Sequence, residues 1–133
     1  MTKVVCKTNE LSNLYWYKEG TNILHREDGP AVECSNGGKF WYQNDLYHRI
    51  DGPALEWNDG EKQWFKNGLC HRENGPAIEW INGDKHWCIN GEIHRIDGPA
   101  VEYINGDKQY WLNNKYYPDI KTDEEWIIFQ IIN

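Results

Sequence analysis

The chain has 133 residues with 21 acidic and 14 basic side chains, a formal net charge of −7, and an apolar content dominated by eight Trp and eight Tyr. That length suits one domain, read here as 1–133, and is short for two. The acidic balance works against a phosphate-tracking nucleic-acid binder, which needs a concentrated basic stripe, and no apolar run is long enough to span a bilayer or serve as a leader. A cytoplasmic protein is expected, in the host cytoplasm if a phage or virus encodes it.

Residues 1–24 form an N-terminal cap. Trp16 precedes His25 by nine residues where Trp64 precedes His71 by seven, so this stretch is a half repeat with a two-residue insertion.

From residue 25 onward one motif recurs at a step of 23 residues: His25-Arg26-Glu27-Asp28-Gly29-Pro30-Ala31, His48-Arg49-Ile50-Asp51-Gly52-Pro53-Ala54, His71-Arg72-Glu73-Asn74-Gly75-Pro76-Ala77 and His94-Arg95-Ile96-Asp97-Gly98-Pro99-Ala100. Such self-similarity marks a repeat architecture. The units run over 25–47, 48–70, 71–93 and 94–116. After each Gly-Pro come a short β-prone run, an Asn-Gly or Asp-Gly, an aromatic run and a second turn, as in Ile78-Glu79-Trp80-Ile81-Asn82-Gly83 followed by Lys85-His86-Trp87 and Asn90-Gly91. Asn-Gly between two such runs signals a hairpin with a two-residue type I′ turn, so each unit reads as one hairpin.

A turn centred on Asn82-Gly83 sets Ile78 opposite Trp87 and Glu79 opposite His86. The same arithmetic pairs Leu55 with Trp64, Val32 with Trp41, Val101 with Tyr110, Glu56 with Gln63 and Glu102 with Gln109. One face is then an aliphatic and aromatic ribbon thickened by Trp57, Trp80 and Tyr103, and the reverse face is Ala, Glu and Gln. Proline lacks a donor and belongs at a strand start, where Pro30, Pro53, Pro76 and Pro99 fall. Gly29, Gly52, Gly75 and Gly98 before them permit a tight reversal, and the adjacent Asp or Asn offers an acceptor to backbone N–H groups. The fold expected is all-β: an elongated antiparallel meander of tandem hairpins.

Residues 117–133 form the C-terminal cap. Thr122 followed by Glu125 matches a capping box, with acidic residues in the first turn, and predicts a short helix laying Trp126, Ile127 and Phe129 over the last hairpin. Its β-branched tail leaves a final strand as the alternative.

The segment Trp64-Phe65-Lys66-Asn67-Gly68-Leu69-Cys70-His71-Arg72-Glu73-Asn74-Gly75-Pro76-Ala77 resembles MORN repeats, short hairpin modules with recurring aromatic, Asn-Gly and His-x-x-Gly positions. Here Gly-Pro-Ala stands where the usual frame places Gly-x-Gly. The resemblance, over about residues 14–117, extends to divergent copies in phage and large-virus proteins and to YwqK-family antitoxins. It implies protein binding, membrane tethering or assembly, with an inhibitor or antitoxin among the forms.

Four histidines in register, His25, His48, His71 and His94, invite a metal reading. A row spaced by two strands, roughly 9 to 10 Å, cannot converge on one ion, so these residues are read as structural, with the arginines, bonding to the Asp, Glu or backbone of the next turn. His86 stands outside the row and is read as paired with Glu79. Equivalent glutamates in equivalent settings do not supply a differently tuned acid and base, and no nucleophile, phosphate-loop or zincin motif is present. No enzymatic activity, cofactor or metal is therefore expected. Cys6, Cys34, Cys70 and Cys88 show neither paired spacing nor disulfide density and are read as isolated free thiols.

The function expected is a protein-binding scaffold, in the form of an inhibitor or antitoxin-like protein that sequesters a toxin or host factor. The partner-binding candidates are Trp57, Trp64, Trp80, Trp87, Tyr103 and Tyr110. A self-assembling homodimer is the first alternative. A weak nucleic-acid binder, using Lys62, Lys85 and Lys108 opposite Trp57, Trp80 and Tyr103, is the second.

Overall fold

Each repeat makes two turns of different kinds, and the difference sets the register of the sheet. At the first, Gly83 N–H donates to Trp80 O at 2.9 Å and Trp80 N–H to Asp84 O at 3.0 Å, with Gly83 at φ +99°. This is a three-residue loop ending in a left-handed glycine. The Asn82 side chain accepts from Asp84 N–H at 2.9 Å, and Asn36, Asp59 and Asn105 do the same in their copies. At the second turn both central residues are left-handed, Asn67 and Gly68 at φ 50° and 78°, Asn90 and Gly91 at 49° and 83°. That is the two-residue type I′ geometry.

The chain thus forms two short hairpins per repeat where one was expected. The extra loop residue also shifts the expected pairing by one: Ile78 faces His86 and Glu79 faces Lys85. Likewise Leu55 faces Gln63, Val32 faces Phe40 and Val101 faces Gln109. A slip of one residue exchanges the faces. Trp41 and Trp87 therefore lie with the glutamates and lysines, and the aliphatic residues share their face with Phe40, Gln63, His86 and Gln109.

The computed structural model describes residues 1–133, which divide into two compact units, Met1–Leu69 and Cys70–Asn133. Both are antiparallel sheets of tandem hairpin repeats. In the first, the order is Val4–Thr8, Leu14–Lys18, Val32–Glu33, Lys39–Phe40, Leu55–Glu56 and Lys62–Gln63, with a side hairpin of Tyr42–Gln43 and Leu46–Tyr47. The N-terminal strand Val4–Thr8 pairs along all of Leu14–Lys18. The inserted residues near Thr21 lie in the loop that Lys18 closes by donating to Ile23 O at 2.9 Å.

In the second unit Ile78–Glu79, Lys85–His86, Val101–Glu102 and Lys108–Gln109 are neighbours in that order. Side hairpins pair Cys88–Ile89 with Glu92–Ile93 and Trp111–Leu112 with Lys115–Tyr116. The C-terminal helix spans Asp123–Ile132, and Thr122 Oγ1 accepts from Glu125 N–H as the capping motif predicts.

The core is thin and periodic. Ala31, Ala54, Ala77 and Ala100 are fully buried, beside buried Val32, Leu55 and Val101. Ala54 O accepts from Trp41 N–H and Ala100 O from Trp87 N–H, both at 2.7 Å. Tyr110 and Trp126 close the last repeat, with ring centres 5.4 Å apart. Ile127 turns outward and is 53% exposed, contrary to its expected packing role, because a 100° step per residue cannot aim both it and Trp126 at the sheet.

Candidate functional site

The His-Arg-x-Asp-Gly-Pro-Ala turns are built around their arginines. In the first unit Arg49 places its guanidinium carbon 3.8 Å from the Trp41 ring centre, donates to Asp51 at 3.0 Å and to Pro53 O at 3.0 Å, and reaches Glu56 at 3.2 Å. Arg26 repeats this over Trp16, with Asp28, Pro30 O and Glu33. In the second unit Arg95 does so over Trp87, with Asp97, Pro99 O and Glu102. Arg72 donates to Pro76 O at 3.0 Å and lies 3.8 Å from Glu79.

The recurring aspartates thus take the arginine of their own turn as donor, where backbone N–H groups and an arginine of a neighbouring turn were expected. The glycines serve a different need from the one expected as well. Gly29, Gly52 and Gly98 have no left-handed φ, yet a Cβ on any of them would stand 2.8–3.0 Å from the arginine Cζ. They are glycine because the guanidinium lies against the backbone there.

Each histidine of the row ties one repeat to the following turn. Nδ1 of His25, His48, His71 and His94 accepts the backbone N–H of Asn44, Asn67, Asn90 and Asn113 at 2.9–3.1 Å. His25 is buried, and its Nε2 meets Glu27 Oε1 at 3.1 Å, which holds that carboxyl below its ordinary range. With Nδ1 committed to a backbone donor, these rings act as braces.

Between successive arginine turns lies an open cleft, about 590 Å³ in the first unit and about 610 Å³ in the second. Arg26, Asp28, Trp41, His48, Arg49 and Asp51 line the former, and Arg72, Asn74, Trp87, His94, Arg95 and Asp97 the latter. Arg26, Arg49 and Arg95 are already matched by carboxylates here, so the walls offer paired charge and no free anion site.

The other sheet face carries the solvent-accessible aromatics. In the second unit His86 stands between Trp80 and Tyr103, with ring centres 6.0 and 6.5 Å away in edge-to-face contact. Trp80 is 37% and Tyr103 36% exposed, and Ile81 and Ile104 beside them are more so. Ile104 lies over the neighbouring loop, since a Cβ on Gly83 would come within 2.8 Å of its Cδ1, and its N–H donates to Asp84 at 2.8 Å. Burial holds the His86 imidazole below its ordinary pKa, against an opposing pull from Asp84. In the first unit Trp57 is half-buried, edge-on to Phe40 at 5.4 Å.

The six aromatic candidates therefore divide. Trp80 and Tyr103 are brought together on an accessible row, and Trp57 has the matching place in its own unit. Trp87 is half-buried under Arg95, and Trp64 is half-buried. Tyr110 is fully buried, its hydroxyl donating to Asp123 at 2.6 Å, so it is a packing residue. Two pairings also change with the register: His86 faces Ile78 and Val101 instead of Glu79, and Lys85 faces Glu79 and Glu102 instead of Trp80. Lys62 faces Glu56 and Lys108 faces Glu102. The basic line therefore runs on the carboxylate side, away from the aromatic row. Ile81, Ile104 and His86 belong to this surface and were not among the partner-binding candidates read from the sequence, where His86 was read only as a partner of Glu79. A three-residue loop would have placed them there.

No protein-family model matches the chain, and no curated protein matches it. No helix is long and apolar enough to cross a membrane.

Proposed function

We propose that this protein is a non-catalytic binding scaffold that docks a protein partner on the row formed by Trp80, His86 and Tyr103 with Ile81 and Ile104. The observation that carries this reading is the exposure of Trp80 and Tyr103 on either side of one imidazole, flanked by two open isoleucines. Trp and Tyr dominate binding energy where they can be desolvated, and an exposed apolar cluster marks an interaction surface more often than a solvated one. The net charge of −7 favours a basic partner through steering of its approach. Sequestration of such a partner, as an inhibitor or antitoxin would perform it, agrees with the MORN-like repeat and with a surface that lacks a differentiated acid and base.

The test is affinity capture from the cells that express the protein, comparing wild type with Trp80→Ala and Ile104→Asp. A stoichiometric partner that both substitutions weaken at least tenfold is the expected result. A partner held equally by wild type and both variants overturns the assignment of this surface. Self-association through the same row is the second reading, favoured by the apolar character of the strip; sedimentation at rising concentration distinguishes it, since a dimer that Ile104→Asp dissolves would replace the separate client.

A further inference from the structure

The side hairpins stack residues of successive repeats on one another, and in the second unit one step of that column is made of two thiols. In the first unit the corresponding step is Tyr47 against Phe65, ring centres 5.5 Å apart, with Gly68 N–H donating to Tyr47 O and Arg49 N–H to Phe65 O. One period later the positions are Cys70 and Cys88. The same two backbone bonds recur, Gly91 N–H to Cys70 O at 2.8 Å and Arg72 N–H to Cys88 O at 3.1 Å, and they hold the two segments side by side. Where aromatic rings fill the step in one copy, two small thiol side chains take their places here. The 18-residue spacing hides this, because it is one repeat of 23 less the five residues across the side hairpin.

We propose that Cys70 and Cys88 are a redox modification site, closing reversibly to a disulfide that cross-links neighbouring repeats on exposure to a peroxide. Both are free thiols; Cys70 is half-buried and Cys88 is 5% exposed, so the oxidant enters at Cys70. Cys70 thiol and hydrogen peroxide give the sulfenic acid and one water, the peroxide O–O bond breaking as the S–O bond forms. Cys88 sulfur then attacks Cys70 sulfur and expels the oxygen as a second water, which carries off the Cys88 proton. Two thiols are oxidised by two electrons and one peroxide is reduced. Cys6 is exposed and has no thiol neighbour given to it by the fold, so it serves as the internal control.

The test is peptide mapping of the folded protein without reductant after mild hydrogen peroxide treatment. The expected product is a Cys70–Cys88 linked peptide pair that dithiothreitol releases, formed in the wild type before Cys6 or Cys34 is modified. In Cys88→Ser, a dimedone adduct should accumulate on Cys70 at least fivefold above wild type. A wild-type map with Cys70 as sulfenic or sulfinic acid and Cys88 still reduced, or with Cys6 alone oxidised, overturns the proposal whether or not the variant folds.

Discussion

Arg49 holds its guanidinium carbon 3.8 Å from the centre of the Trp41 ring while one of its nitrogens reaches Glu56 at 3.2 Å, so one cation joins a ring and a carboxylate on the same face of the sheet. Its Nε meanwhile binds Asp51, and its Nη1 binds Pro53 O. A lysine can carry the charge but cannot satisfy this fork and cover the ring together. Arg49→Lys should therefore cost about 1–2 kcal/mol in urea unfolding. Gly52→Ala should cost a similar amount, since its Cβ would stand 2.8 Å from Arg49 Cζ. The two losses should not add, because each removes the same arginine from the same seat. Full additivity in the double variant would show that the glycine serves another purpose.

How much of this was legible follows from what each signal reports. The 23-residue step is a global property of the sequence, and it located the repeats, the brace histidines and the prolines without any knowledge of register. Asn-Gly is a local signal, and it occurs at both turns of a repeat. At Asn90-Gly91 both residues take left-handed φ as a type I′ turn requires, whereas at Asn82-Gly83 only the glycine does and Asn82 caps Asp84 N–H instead. Nothing within the dipeptide separates the two cases, and the one-residue difference sends Trp87 and Lys85 to the face opposite Ile78. The Cys70–Cys88 step was hidden for a related reason: the two residues hold different positions in successive side hairpins, 18 residues apart, so the 23-residue step does not bring them together.

The histidine braces should differ in strength according to burial. The His25 side chain is 5% exposed and bonds both Asn44 N–H and Glu27, whereas that of His71 is 13% exposed with Glu73 at 3.6 Å. His25→Ala should cost about 2–3 kcal/mol, leaving the Asn44 N–H unpaired beside a cavity, and His71→Ala about 1 kcal/mol. Unfolding midpoints in urea for the two variants check the order, and a larger loss at His71 would contradict it.

His86 should make stability depend on pH on the acid side. Its folded pKa lies below the unfolded value because burial disfavours the cation. As pH falls through about 6.5 toward the folded value, the unfolded chain binds more protons than the native one and stability drops. Gln occupies the same place in the neighbouring copies, Gln63 and Gln109. His86→Gln should fold normally and flatten the stability profile below pH 6.5. An unchanged slope in urea titrations at pH 5 to 7 would assign the acid sensitivity elsewhere.

The cap on the last repeat rests on Trp126. Its ring is fully buried against Tyr110, Tyr117 and Phe129, at centre distances of 5.4, 5.6 and 5.7 Å. A ten-residue helix has too few turns to persist in water without such an anchor. Trp126→Ala should therefore cost about 3–5 kcal/mol and remove the helical circular-dichroism signal. Ile127→Ala, at a position 53% exposed, should change stability by less than about 0.5 kcal/mol. Trp126→Phe should cost far less than the alanine change, because the indole N–H is buried without a partner and its removal offsets part of the lost packing. Equal losses for the phenylalanine and alanine variants would mean that the full indole shape, and not an aromatic ring over Tyr110, holds the helix down.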